Sequence, residues 1–175
     1  MSFQYSRFNL NYMTKSLDLG CGSKPRNFFN AKQVYGIDIR DDLEAGIYKA
    51  DLVIEPIPFS DCTFDFVTAH DFLEHIPRII YNPSRRNSFV EIMNEIWRVL
   101  KVGGQFLSVT PAYPNSEAFR DPTHVNIITE ETFSLYFDNI NCLAKMYGFY
   151  GSFLITDQKW NGPHLITLLT KLSSK

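Results

Sequence analysis

Cysteine and surplus charge are both scarce in this sequence. The 175 residues include three cysteines, Cys21, Cys62 and Cys142, and their spacing matches no metal-binding motif. Three cysteines are few and odd in number, which excludes a disulfide framework. The sequence therefore predicts a reducing compartment, the cytoplasm. Lysine and arginine number 17 against 19 aspartates and glutamates, for a net charge of -2. This balance disfavours a general nucleic-acid surface, so nucleic acid is not an expected partner.

Long apolar runs are missing as well. No stretch approaches the ~20 apolar residues of a membrane-spanning helix, and residues 1–16 lack the apolar core of a signal peptide. We therefore expect a cytoplasmic protein without a membrane partner. No repeat or linker interrupts the chain, and its length is typical of one domain. The prediction is a single domain over residues 1–175, with a short N-terminal arm at 1–15 and no separate substrate domain.

What the chain does contain is an alternation of strand and helix patterns. The predicted strands are residues 16–20, 34–39, 47–52, 63–70, 105–111, 141–150 and 164–172. Apolar residues at helical spacing predict a helix over 88–104 that ends at Gly103-Gly104, and a second helix is predicted over 129–137. The alternation indicates an α/β fold with a mostly parallel sheet. No helix separates the last two strands, which predicts a closing antiparallel hairpin.

Polar residues follow several of these strands. They are Asp18 to Gly22, Asp38, Asp51, His70-Asp71 and Thr110. Ligands of open parallel sheets bind beyond the carboxyl ends of the strands. The sequence therefore predicts a ligand site along this edge.

The stretch LDLGCGSKP (17–25) places a glycine turn at the end of the first strand. A dinucleotide fingerprint needs a third glycine, where this chain has Pro25. Eleven residues separate Gly22 from Val34, too few for a long helix whose N-terminus would seat a pyrophosphate. A dinucleotide is therefore disfavoured.

The run Asp18-Leu19-Gly20-Cys21-Gly22 resembles the D-x-G-x-G motif of the class I S-adenosylmethionine-dependent methyltransferases. The resemblance extends through EIWRVLKVGGQFLSVTP and covers roughly residues 16 to 137. It implies a Rossmann-like, doubly wound, seven-stranded sheet and S-adenosylmethionine as cofactor. It assigns the ribose hydroxyls to Asp38 and the adenine to Asp51 and Leu52. The full set of implied cofactor-binding residues is Asp18, Gly20, Cys21, Gly22, Asp38, Ile39, Asp51, Leu52 and His70.

The resemblance further implies methyl transfer to a small-molecule acceptor. The segment TPAYP (110–114) lacks the N/D-P-P-F/Y signature of amino-group methylation, which favours a hydroxyl, as on a sugar or related metabolite. Carbon acceptors stay open. So do an inactive partner subunit of the same fold and a nucleotide or RNA ribose methyltransferase, the latter because of Arg78, Arg85 and Arg86. The oligomeric state is not predicted.

Two catalytic arrangements fit the residues beyond the fourth strand. In one, His124 or His70 is a general base for the acceptor hydroxyl, with Asp71 nearby. In the other, a divalent cation is held by Asp71, Glu74, His75 and His124. That D-x-x-E-H run with a distant histidine is similar to the E-x-x-E-H pattern of small-RNA terminal 2′-O-methyltransferases and some quinone-pathway O-methyltransferases. A third interpretation gives Glu74 and His75 a purely structural role.

Overall fold

A computed structural model describes residues 13–173 of the chain. Its strands are β1 (Lys15–Leu19), β2 (Gln33–Asp38), β3 (Ile47–Lys49), β4 (Phe64–His70), β5 (Ile80–Tyr81), β6 (Arg85–Arg86), β7 (Leu100–Pro111), β8 (Phe153–Asn161) and β9 (His164–Lys171). The helices are α1 (Ser88–Val99), α2 (Glu117–Arg120) and α3 (Glu131–Tyr136), with 3-10 helices at Leu73–His75 and Leu143–Tyr147. Most of the predicted N-terminal arm lies outside the described residues.

Seven of the strands form one sheet in the order β3-β2-β1-β4-β7-β9-β8. The pairs from β3 to β7 are parallel, and β9 is antiparallel to both β7 and β8. The predicted fold class, an α/β fold with a mostly parallel seven-stranded sheet and a C-terminal antiparallel hairpin, is confirmed. The carboxyl ends of β1, β2, β4 and β7 therefore share one edge.

The hairpin does not use the predicted penultimate strand. Residues 141–150 form the 3-10 helix Leu143–Tyr147, and the strand that pairs with β9 is Phe153–Asn161. Cys142 and Gly148 flank this helix in the left-handed region, at φ values of 47° and 95°, which prevents an extended run. Ala144 and Phe149 bury their side chains in the core instead. The prediction of a strand at 141–150 was wrong.

Helix α1 also ends earlier than predicted. It stops at Val99, and Leu100 is already extended with φ -71° and ψ 143°. Gly103 and Gly104 lie inside β7, not at a helix end. A Cβ on Gly104 would lie 3.0 Å from the carbonyl oxygen of Asp65 and 2.8 Å from that of Lys101, so close backbone packing requires glycine there.

The core lies on both faces of the sheet. The larger cluster packs α1, through Ile92, Met93 and Ile96, against the central strands. A smaller cluster covers the other face, where the ring of Phe29 stacks on Phe66 with centroids 4.4 Å apart. Phe29 belongs to the turns that join β1 to β2, where no helix forms. Within residues 13–173, no helix is both long enough and apolar enough to cross a bilayer.

Candidate functional site

The glycine turn after β1 has one crowded and one open side. Both glycines are left-handed, Gly20 with φ 63° and Gly22 with φ 62°. A Cβ on Gly20 would lie 2.5 Å from the ring of Phe72, so the residue is needed for packing. At Gly22 no atom of the described chain lies within 4 Å of that position. A ligand can therefore approach the backbone at Gly22.

Asp18 lies behind the turn. Its carboxylate is fully buried and accepts hydrogen bonds from the backbone N–H of Arg26 at 2.8 Å and from Thr68 Oγ1 at 2.7 Å. Burial raises the pKa of this carboxyl, although both hydrogen bonds act in the opposite direction. The structure gives Asp18 an anchoring role, in which it ties the loop after the turn to β4.

Asp38, at the end of β2, reaches the same turn from the side. Its Oδ2 accepts the backbone N–H of Gly22 at 3.0 Å, and its Oδ1 accepts Arg40 Nε at 2.9 Å. Burial alone would raise the pKa of this carboxyl, but the hydrogen bonds from Arg40 and Gly22 outweigh it and hold the pKa below its ordinary value. Ile39 follows with 67% of its surface exposed. A carboxylate beside an exposed apolar side chain suits the ribose and base of a nucleoside.

The other residues implied in cofactor binding divide into exposed and buried ones. Asp51 is exposed, and its Oδ1 accepts the backbone N–H of Val53 at 3.1 Å. Leu52 and Cys21 are buried. Burial raises the pKa of the Cys21 thiol to about 11, and its sulfur packs against Gly36, where a Cβ would lie 2.4 Å from it. Cys21 is therefore a packing residue, and its thiol also donates a weak hydrogen bond to the carbonyl of Gly22 at 3.6 Å.

His70 ends β4 beside the glycine turn. Its Nε2 is buried and has no hydrogen-bond partner among the described residues. Burial lowers the pKa of the imidazole, although the nearby Asp18 carboxylate raises it. Phe28 lies next to the ring, with centroids 6.0 Å apart. The end of β4 thus holds an imidazole whose buried Nε2 is available to a ligand.

Asp71 is within hydrogen-bond distance of His164, a residue far from it in the sequence. Its Oδ1 lies 2.9 Å from His164 Nε2, although the two residues are 93 positions apart. Asp71 is itself left-handed, with φ 48°, and its N–H donates to the carbonyl of Val109. Only the placement of β9 beside β7 brings His164 to Asp71, so no local sequence pattern reveals the pair.

Glu74, His75 and His124 form a second group. One ligand atom of each lies within 4.8 Å of the others. The carbonyl of Glu74 accepts the backbone N–H groups of Val125 and Asn126, both at 2.9 Å, and this holds the loop with His124 against the 3-10 helix Leu73–His75. Asp71 lies outside the group, so the structure brings together three of the four predicted metal ligands.

Two atoms of this group are buried without a partner among residues 13–173, Glu74 Oε1 and His124 Nδ1. The Glu74 side chain is 1% exposed, and its Oε2 accepts Thr110 Oγ1 at 2.8 Å. Burial raises the pKa of the Glu74 carboxyl. The Nδ1 of His75 faces the hydroxyl of Thr123 at 3.1 Å. A buried acceptor without a partner is costly, so these atoms are available to a proton, a ligand or a cation.

Comparison with known proteins agrees with this geometry. Residues 17–108 match the family model described as a methyltransferase domain. The chain is 27% identical over 132 residues to demethylmenaquinone methyltransferase of Anoxybacillus flavithermus, covering 65% of this chain and 52% of that protein. It is 26% identical over 120 residues to the enzyme of that name from Listeria welshimeri, covering 58% and 47%. The chain thus spans about half the length of the curated relatives it matches.

Solved structures share the fold. An S-adenosylmethionine-dependent methyltransferase from Aquifex aeolicus superposes with a TM-score of 0.55 at 15% identity, over 94% of this chain and 85% of that one. One from Archaeoglobus fulgidus gives 0.57 at 15% identity, over 90% and 86%. The [4+2]-cyclase SpnF gives 0.59 at 16% identity, over 93% and 76%. The chain has an open glycine turn and an acidic residue at the end of β2, and its residues 17–108 match the methyltransferase domain. The chain therefore belongs to the class I S-adenosylmethionine-dependent methyltransferases.

Proposed function

We propose that this chain transfers the methyl group of S-adenosylmethionine to a hydroxyl of a small-molecule acceptor. The observation that carries the proposal is the pair of buried atoms without a partner, Glu74 Oε1 and His124 Nδ1, beyond the carboxyl end of β4. A methyl acceptor with an O–H group must lose a proton during transfer, and this group of side chains can take it.

The cofactor would be held where the glycine turn is open. Gly22 admits the ligand to the backbone, and Asp38 would accept hydrogen bonds from ribose hydroxyls. Ile39 would cover one face of the base, with Asp51 at its edge. Bound S-adenosylmethionine supplies an electrophilic methyl carbon, so the protein's own part is alignment and proton removal.

His124 is the general base in this proposal. Histidine is the side chain that most often serves as a general base in enzymes. The His124 side chain is 10% exposed, and its Nε2 lies 3.9 Å from Asp121 Oδ2, so the carboxylate favours the imidazolium that forms. The hydroxyl proton passes to His124 while the acceptor oxygen takes the methyl group. His70 and Asp71, at the end of β4, would contribute to the walls of the methyl-transfer site.

The same group supports a metal-assisted variant of the proposal. Glu74, His75 and His124 offer one carboxylate oxygen and two imidazole nitrogens, a donor set that suits zinc and other first-row cations. Three protein ligands leave a coordination position for the acceptor oxygen, whose pKa the cation would lower. In this variant His75 becomes essential, which a general base at His124 does not require.

An apolar acceptor, methylated at oxygen or at carbon, is the second candidate. The relatives named above are demethylmenaquinone methyltransferases. Next to the proposed site, after β7, Tyr113 and Phe119 expose aromatic rings with centroids 6.4 Å apart. These rings favour an apolar acceptor, whichever of its atoms is methylated.

The test is turnover of the full chain with S-adenosylmethionine and a panel of hydroxylated small molecules, followed by release of S-adenosylhomocysteine. We expect turnover with at least one acceptor and about 10²-fold or greater loss of kcat in His124→Ala. Methylation at carbon in the product would replace the hydroxyl assignment. Failure of the chain to bind S-adenosylmethionine by calorimetry would overturn the proposal entirely.

A further inference from the structure

A cavity lies where the segment that follows the 3-10 helix Leu73–His75 meets the start of α1. It has a volume of about 420 Å³, within the ~300–1,000 Å³ of small-molecule sites. It opens between the β5–β6 hairpin, the first turn of α1, and the segment from α3 to Tyr147. Its main lining residues are Arg78, Arg85, Phe89, Tyr136, Phe137 and Tyr147.

The charge of this cavity has one sign. Two arginines line it, and none of its lining residues carries a carboxylate. The first turn of α1 reaches its wall through Phe89 and Val90, and the free N–H groups of a helix N-terminus add positive potential. The adjacent carboxylate of Glu91 is already paired with Arg86, at 3.0 Å between Oε2 and Nε. An anion is the ligand that this potential favours.

The two arginines differ in how they are held. Arg78 donates from Nε to Asn126 Oδ1 at 2.8 Å and from Nη2 to the carbonyl of Ile127. A guanidinium has five N–H donors, so Arg78 keeps donors for a ligand. Arg85 is exposed, and its side chain has no ion pair or hydrogen bond among residues 13–173. One arginine is thus positioned in advance, and the other is available to close on a bound anion.

The interior of the cavity is apolar and aromatic. The rings of Phe89 and Phe137 meet edge to face with centroids 5.5 Å apart, and Tyr136 and Tyr147 expose their rings at the entrance. Flat rings of this kind accommodate an aromatic body through offset-stacked or edge-to-face contacts. The ligand therefore combines an apolar, preferably aromatic body with one anionic group.

The cavity is connected to the proposed catalytic group. Asn126 accepts the hydrogen bond from Arg78. It also donates its side-chain N–H to the carbonyl of Leu73 at 3.1 Å and its backbone N–H to the carbonyl of Glu74 at 2.9 Å. A ligand that pulls on Arg78 therefore acts on the backbone that carries Glu74. We infer that this cavity binds a small aromatic carboxylate, paired with Arg78 and Arg85, either as the anionic part of the acceptor or as a separate effector. The acceptor version rests on the proposed function; the binding itself does not.

The test uses 2-naphthoate as probe and the neutral 2-naphthamide as its uncharged match. Binding to the full chain is measured by protein-observed NMR, with and without S-adenosylmethionine. We expect 2-naphthoate to shift resonances of Phe89, Phe137 and Tyr147 and to bind about tenfold or more tightly than the amide. Arg85→Glu should weaken binding by about the same factor. Lys49→Glu makes the same change of charge on the remote β3 and should leave binding unchanged.

Because Arg85 is exposed, its variants should fold normally, and Arg85→Gln provides a second variant without a reversed charge. Equal affinity for the amide, or unaltered binding in both Arg85 variants, would overturn the inference. If 2-naphthoate competes with the acceptor and Arg85→Gln raises KM at constant kcat, the anion belongs to the acceptor. If it changes kcat without competition, it is an effector. If Arg85→Glu loses 2-naphthoate binding but keeps its affinity for the cofactor, the cavity is supported independently of the proposed reaction.

Discussion

The carboxylate of Asp38 accepts a hydrogen bond from the backbone N–H of Gly22 at 3.0 Å. The acidic residue that ends β2 therefore also fixes the glycine turn that follows β1. Its other oxygen, Oδ1, accepts a hydrogen bond from Arg40 Nε at 2.9 Å, on the solvent side. A cofactor ribose that approaches Asp38 must share or replace the Arg40 hydrogen bond, so Asp38 links the shape of the turn to the affinity for the ligand.

Asp38→Ala should weaken S-adenosylmethionine binding by at least about 1.5 kcal/mol, the value of a charge-assisted hydrogen bond. Loss of the Gly22 contact adds to the effect because the turn is then less well held. Calorimetry of the purified chain measures it. Asp41→Ala removes an exposed carboxylate three positions away and serves as the control. Equal affinities for the two variants would remove Asp38 from the cofactor site.

The two glycines of the turn should respond differently to alanine. Both have positive φ, which costs a non-glycine residue about 1–2 kcal/mol. Gly20→Ala also drives a Cβ against Phe72, so its loss of unfolding free energy should be the larger. Gly22→Ala meets open space and should mainly weaken cofactor binding. Denaturant unfolding of Gly20→Ala, Phe72→Ala and the double variant checks this, since relief of the clash predicts a double variant less destabilised than the sum.

Local patterns predicted the elements that position the cofactor. The runs that became β1, β2 and β4 are apolar and end at the acidic or glycine residues that now line one edge. Strand β8 was missed because its sequence, FLITDQKWN, alternates with polar residues and lies at the sheet edge, half exposed. The more apolar 141–150 formed a better strand pattern, but left-handed residues at 142 and 148 interrupt it.

The candidate site was predictable where its residue types stand out in the sequence, but not where a contact depends on the order of the strands. Glu74 and His75 are adjacent, and His124 stood out as a histidine in a loop after the fifth predicted strand. The pairing of Asp71 with His164 follows from the placement of β9 beside β7, which no local pattern contains. The burial of Asp18 was equally hidden, because a motif identifies a residue type and not the side of the turn on which its carboxylate lies.

The buried carboxyl of Glu74 predicts a pH-dependent stability. Burial raises the pKa of this carboxyl in the folded state above its ordinary value in the unfolded chain. Between the two values the folded state therefore binds the proton that the unfolded state has released. The free energy of unfolding then falls as pH rises through that window. Glu74→Gln should remove this contribution and raise stability at neutral pH while activity is lost.

Thermal unfolding from pH 4 upward measures the effect, with the exposed Glu44→Gln as control. Asp18 contributes a slope of the same sign in both proteins because its pKa is raised as well, so the difference between wild type and variant isolates Glu74. If the free energies of unfolding of wild type and Glu74→Gln differ by the same amount at every pH, burial does not keep the Glu74 carboxyl protonated.

The last prediction separates the two chemistries open to the Glu74 group. With His124 as a general base, His124→Ala should lose about 10²-fold or more in kcat with cofactor affinity retained, and His75→Ala should keep most of the turnover. With a bound cation, both variants should lose activity, EDTA should abolish the activity of the wild type, and a divalent cation should restore it.

Because metal binding is measurable without an acceptor, zinc or manganese titration of the wild type and of His75→Ala distinguishes the two chemistries even before the acceptor is known. Cation binding that is equal in both proteins would exclude the three-residue site, and turnover near the wild-type rate in His124→Ala would exclude His124 from either mechanism.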